Sequence, residues 1–153
     1  MPSLELRVPP VIVVIIVSAA MFGVAGSAPA FFVQVPARLV WCIVLIAAGV
    51  TVTTAGVTAF RTQRTTVNPH RPQAASSVVR TGVYRYSRNP MYLGFLLLLS
   101  AVAVYLSNAL AVLGVPAFVL YMDRFQITPE ERVLAGKFGE EYAMYLAQVR
   151  RWI

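Results

Sequence analysis

The chain has 153 residues, of which 58% are hydrophobic and 12% charged, and it carries a net charge of +7. Soluble domains hold about a quarter charged residues, so this balance excludes an ordinary soluble domain and predicts a single membrane domain. Nucleic-acid binding is also excluded as the reason for the positive charge, because no RNA- or DNA-binding motif accompanies it. The one cysteine, Cys42, lies in an apolar run and can form no internal disulfide. The one histidine, His70, stands between Pro69 and Arg71 without ligand-like neighbours, so no metal site is expected.

In chain order, residues 8–26 form the first predicted span, with a purely aliphatic stretch at 11–17. Residues 27–36 are a turn region with Phe31 and Phe32 at an interface. Residues 37–60 form the second span; its later half is rich in Thr, Gly and Ala, which let helices approach closely. A long polar connection, residues 61–89, carries six arginines and no acid. Pro69 and Pro72 within it argue against a regular helix. Residues 90–107 form the third span, with Asn89 as N-cap and Pro90 as first helical residue. After a tight turn at Ser107 and Asn108, residues 109–122 form a short fourth span, which Pro116 is expected to kink. Thr128, Pro129 and Glu131 read as a capping box that starts an amphipathic helix at 129–148. Its stripe is Leu134, Phe138, Tyr142, Tyr145 and Val149. Arg150, Arg151 and Trp152 follow as a basic-aromatic interface anchor.

The expected fold is therefore an all-α integral membrane protein with four transmembrane helices and a C-terminal amphipathic helix. Of 13 Lys and Arg, only Arg38 falls on the far side of such a bundle. The positive-inside rule then places both termini and the long connection in the cytoplasm, with a bacterial inner membrane as the expected location.

One stretch holds more polar and aromatic residues than helix packing needs: TGVYRYSRNPMYLG, residues 81–94. It leads into the third span, and the TPEE segment at 128–131 leads into the last helix, on the same membrane face. Each helix start offers free N–H groups and partial positive charge. Arg85, Arg88, two carboxylates and several Tyr surround them. That mixture suits a zwitterion with an aromatic part, its ammonium on Glu130. At about 100° per residue, Glu130 lies roughly 40° from Leu134 and borders the apolar stripe.

These two segments resemble the paired motifs of the isoprenylcysteine carboxyl methyltransferase and phospholipid methyltransferase superfamily. The first is similar to Gly-x-Tyr…Arg-His-Pro-x-Tyr-x-Gly. The second, PEERVLAGKFGEEYAMYLAQVRRWI, is similar to Glu-Glu-x-x-Leu…Phe-Gly-x-x-Tyr-x-x-Tyr. The resemblance covers about the C-terminal half. It implies a membrane methyltransferase that uses S-adenosylmethionine and a lipophilic methyl acceptor, among membrane lipids. By position, Val79, Tyr84, Asn89, Pro90, Met91 and Tyr92 would line the cofactor, and Glu130 would hold its amino group. Asn89 stands where the family often has His and cannot titrate. Gln126 stands where the isoprenylcysteine enzymes place an Arg for the substrate carboxylate, and Arg124 is the expected substitute. For an amine acceptor, Glu131 is the expected proton acceptor. Two other readings remain at this point: a nicotinamide-dependent membrane reductase, whose relatives normally have more spans, and a non-catalytic membrane bundle. The spans hold no mid-membrane charge, which disfavours an ion pathway.

Overall fold

Two helices run almost without polar relief, and their sequences explain why. In the computed structural model, which describes residues 5–62 and 75–153, α1 covers Pro10–Ser27 and α2 covers Arg38–Thr62. Pro10 sits in the first turn of α1, where its missing N–H costs nothing. Both helices are apolar all round, and both are long and apolar enough to cross a membrane. Their outer faces leave Ile12, Ile15, Ile16, Leu39, Trp41 and Ile43 exposed, which suits a lipid solvent and not water.

Helix α3, Pro90–Leu106, is an apolar helix of 17 residues that lies against α2. The seam is made of small residues. A Cβ on Gly49 would lie 2.8 Å from the Gly94 carbonyl oxygen, and one on Gly56 would lie 2.8 Å from Met91 Cγ. A Cβ on Gly94 would collide with Thr53 Oγ1. The predicted close approach of the Gly- and Thr-rich part of α2 is thus a backbone-to-backbone contact.

The fourth element departs from expectation. A 3₁₀ turn at Ala111–Leu113 leads into α4, Gly114–Tyr121, only eight residues long. Pro116 falls in the first turn of α4, where it displaces no necessary hydrogen bond. Helix α4 passes without a break into a π-helical turn, Met122–Ile127, and then into α5, Thr128–Phe138. No helix starts at Thr128: its backbone is helical (φ −60°, ψ −43°) and no side chain caps the junction. The free N–H groups predicted there do not exist. The physical reason lies one residue on. Pro129 has no N–H for the carbonyl four residues back, which belongs to Phe125. The wider π turn accommodates the ring, and the Leu6 N–H donates to the Phe125 carbonyl instead, at 3.0 Å.

The single helix predicted over 129–148 is also two. Gly139, at φ 51°, ends α5 and opens α6, Glu140–Gln148. Only glycine enters that region freely. The break turns Tyr142 and Tyr145 toward the 3₁₀ turn at Gly82–Arg85 that precedes α3. Among the described residues the elements are all helical, with one isolated bridge between Phe32 and Asn108. His70 and the prolines of the long connection lie outside the described residues.

Candidate active site

The two motif segments face each other across a cavity. It holds about 650 Å³ of free space, its open mouth included. The first wall begins with Gly82, whose φ of 61° starts the 3₁₀ turn and sends Tyr84 inward. Tyr84 is buried, stacks edge-on with Phe60 of α2 at 5.2 Å, and offers its carbonyl to the Tyr145 hydroxyl at 2.9 Å. Val79, Asn89, Met91 and Tyr92 continue this wall.

The second wall comes from α5 and α6. It contributes Glu130, Glu131, Leu134, Tyr142 and Tyr145. Besides the Tyr145–Tyr84 bond, the walls meet in a side-chain hydrogen bond: the Tyr92 hydroxyl donates to Glu130 Oε1 at 2.7 Å, across 38 residues of sequence. The Gln126 amide donates to the same oxygen, one helical turn earlier, at 2.5 Å. Glu130 Oε2 takes neither of these donors. Burial pushes the Glu130 carboxyl up to about 7, and the neighbouring Glu131 charge adds to the rise. The bonds from Tyr92 and Gln126 act the other way, holding the carboxylate form within reach at neutral pH. Burial also pushes the phenols of Tyr84, Tyr142 and Tyr145 up, so they remain neutral donors.

Glu131 has a different environment. Arg88 approaches it at 3.4 Å, and Arg151 grips both of its oxygens. Arg151 also reaches Asp123 at 3.3 Å, as does the Trp152 indole N–H at 3.2 Å. The predicted interface anchor therefore folds back onto the site: opposite charges are available there, and Trp152 packs against the main core.

The structure thus brings Val79, Tyr84, Asn89, Met91, Tyr92, Glu130 and Glu131 to one cavity. Pro90 is buried in the first turn of α3 and does not line it. Arg124 is elsewhere: 61% exposed, it pairs with Glu5 at 2.9 Å. It supplies no charge in place of the Arg that Gln126 replaces. Asn89 occupies the N-cap position without capping by its side chain, which donates instead to the Arg151 carbonyl at 3.1 Å.

Sequence reasoning placed Gln126 only as the residue standing in for an Arg, and gave Tyr142, Tyr145 and Phe60 no place in these walls. Gln126 was legible as an i, i+4 partner of Glu130. Tyr142 and Tyr145 were read as an amphipathic stripe, although phenols among Leu and Phe hint at a polar task. Phe60 of α2 carried no signal, because nothing local distinguishes it from other span residues.

Comparison with known proteins agrees with the motif pair. The family model described as phospholipid methyltransferase matches residues 37–141. An uncharacterized protein of Haemophilus influenzae is 51% identical over 63 residues, which are 41% of this chain and 100% of that protein. No solved structure matches.

Proposed function

This chain belongs to the phospholipid methyltransferase family, and on that premise we propose that it is an integral membrane methyltransferase that uses S-adenosylmethionine and acts on a lipid-like or prenylated amine or carboxylate. The Tyr92–Glu130 hydrogen bond carries this reading. It closes two distant segments over one cavity and leaves one oxygen of a buried carboxylate for a cationic ligand. The donor set fits the amino-acid end of the cofactor. Glu130 Oε2 would take the ammonium. Met91 and Tyr92, in the first turn of α3, carry N–H groups with no partner inside the helix and would take the carboxylate. Phe60, Tyr84, Tyr142 and Leu134 would enclose the aromatic part and exclude water.

When bound, S-adenosylmethionine supplies a methyl group already activated by a sulfonium, so the protein's task is alignment in a dry site. In this reading Arg124 does not bind an acceptor carboxylate, and Glu131 does not serve as a free proton acceptor. Arg124 is remote, and Glu131 is held between two guanidinium groups. A carboxylate acceptor needs no base at all. In this reading the chain crosses the membrane four times, with α3 and α4 as the shorter crossings, and the cavity opens at the cytoplasmic face of a bacterial inner membrane. A short α4 is tolerable because the helix continues through the π turn, and a bilayer thins locally around short spans.

Calorimetry on the purified protein in lipid nanodiscs tests the reading. S-adenosylmethionine should bind, and Glu130→Ala should abolish binding. Binding of a nicotinamide cofactor instead would select a reductase, and no binding of either would select a non-catalytic bundle. Labelled cofactor incubated with lipid extract should then mark the acceptor.

A further inference from the structure

The segment after α6, residues 149–153, makes more bonds to the site than a tail needs. Its backbone serves the first wall. The Arg88 N–H donates to the Arg150 carbonyl at 3.0 Å, and the Arg151 carbonyl accepts from Asn89 Nδ2 at 3.1 Å and Ser87 Oγ at 3.4 Å. Its side chains serve the second wall. The Arg151 guanidinium binds Glu131 and Asp123, and Trp152 adds a second bond to Asp123. Among the described residues, Arg151 thus reaches both walls by two independent sets of atoms.

We propose that Arg151 is a positioning residue of the cavity: it fixes the spacing between the Asn89 wall and the Glu131 wall, and its guanidinium screens Glu130 from the charge of Glu131. The geometry gives the second half its content. Glu131 follows Glu130 directly on α5, and its charge works against a second carboxylate there. Among the described residues, the other groups facing Glu130 are Tyr92 from α3, Tyr84 from the 3₁₀ turn and Tyr142 from α6, all neutral phenols, and the neutral Gln126. Arg88 and Arg151 are therefore the cations among the described residues that balance Glu131, and Arg151 makes the bidentate contact. Without it, Glu130 holds its proton to higher pH and meets a cationic ligand as a neutral acid. The ligand arm of the test rests on the S-adenosylmethionine reading; the spectroscopic arm does not.

Infrared titration of the ligand-free protein between pH 5 and 9 reads the protonated carboxyl band, assigned to Glu130 by its loss in Glu130→Gln. Arg151→Gln should move the midpoint of that band up by about one unit. Arg151→Lys should leave it near the wild-type value, because the charge remains, yet should weaken S-adenosylmethionine about threefold, because the fork is lost. In calorimetry, Arg151→Gln should weaken the cofactor about tenfold at pH 7, with the deficit shrinking toward pH 8.5. A residue that acts by packing alone would weaken binding equally at both pH values. An unmoved band in Arg151→Gln, or a Lys variant that titrates like the Gln variant, overturns the proposal. Should Arg151→Gln not fold, Glu131→Gln tests the same link: it removes the charge being screened, and the Glu130 midpoint must fall. A moved band together with no cofactor binding by the wild type would leave this inference standing and sink the cofactor reading.

Discussion

The two ends of the helix bundle are built on opposite principles. At the Asn108 end, polar groups satisfy one another. Asn108 Nδ2 donates to the Ala28 carbonyl at 2.8 Å, and its Oδ1 accepts from the N–H groups of Leu110 and Ala111 at 3.0 and 3.1 Å. Val33 N–H donates to the Ser107 carbonyl, and Ala109 N–H to that of Phe31, clasping the two connecting loops. A groove there holds about 1030 Å³ of free space, more than the cavity at the other end. Its three polar residues, Ser100, Ser107 and Asn108, are nevertheless turned back onto the backbone. At the cavity end, side chains from distant segments converge, and among the described residues Glu130 accepts its two bonds on one oxygen. The comparison teaches that spare polar capacity, not volume, marks the site.

The largest way to break the contrast is to separate α2 from α3, since both ends depend on that seam. Gly94→Val drives a side chain into Thr53 and the Gly49 carbonyl. It should cost about 3 kcal/mol or more, read as a lowered unfolding midpoint in mixed micelles, and should abolish both ends together.

Glu130 gives the next largest effect and separates the ends. Its folded titration near 7 lies above the 4.5 of the free group, so the native state binds the extra proton between those values. Stability should therefore be fullest below pH 4.5 and fall as pH rises through 7, by about 3 kcal/mol at most from this residue. Affinity for a cationic ligand should move the opposite way and strengthen through pH 7. Glu130→Gln should flatten both profiles and weaken S-adenosylmethionine by about a hundredfold, without lowering the unfolding midpoint at pH 8. A steep loss of stability in Glu130→Gln at that pH would mean that the carboxylate is structural.

Asn108→Ala is the reciprocal test. Loss of its buried bonds should cost about 2 kcal/mol of stability while calorimetric cofactor affinity stays within about twofold of wild type. Tyr92→Phe should have the smallest effect. It removes one of two donors to Glu130 Oε1, which should raise the infrared midpoint of the carboxyl band and weaken the ligand about fivefold. Equal losses at both ends in either variant would erase the distinction.

Much of the helical layout was readable before any coordinates. Long apolar runs can satisfy their backbones only as helices in lipid, and the small residues of α2 announced a close neighbour. The junctions were not readable. The capping-box pattern at Thr128 and Pro129 is a sound local signal, but the Leu6 N–H, more than a hundred residues away in sequence, takes the carbonyl that Pro129 cannot serve. Glycine at 139 was visible as a residue, yet whether it would break the helix depended on what Tyr142 and Tyr145 gained by turning.

By itself, then, the sequence determined a greasy all-helical chain, the two motif segments and the family they belong to. Those properties reside in composition, short-range periodicity and short strings of residues. The tertiary structure alone decided that Gln126 would bond to Glu130, that Arg124 would stand away from the cavity, and that Arg151 would bond to Asn89 and Glu131 on its two sides. Each of these is a choice among partners for a charged or polar side chain. Such choices are settled by which groups the packed helices bring within about 3 Å of one another, a distance that no local pattern encodes.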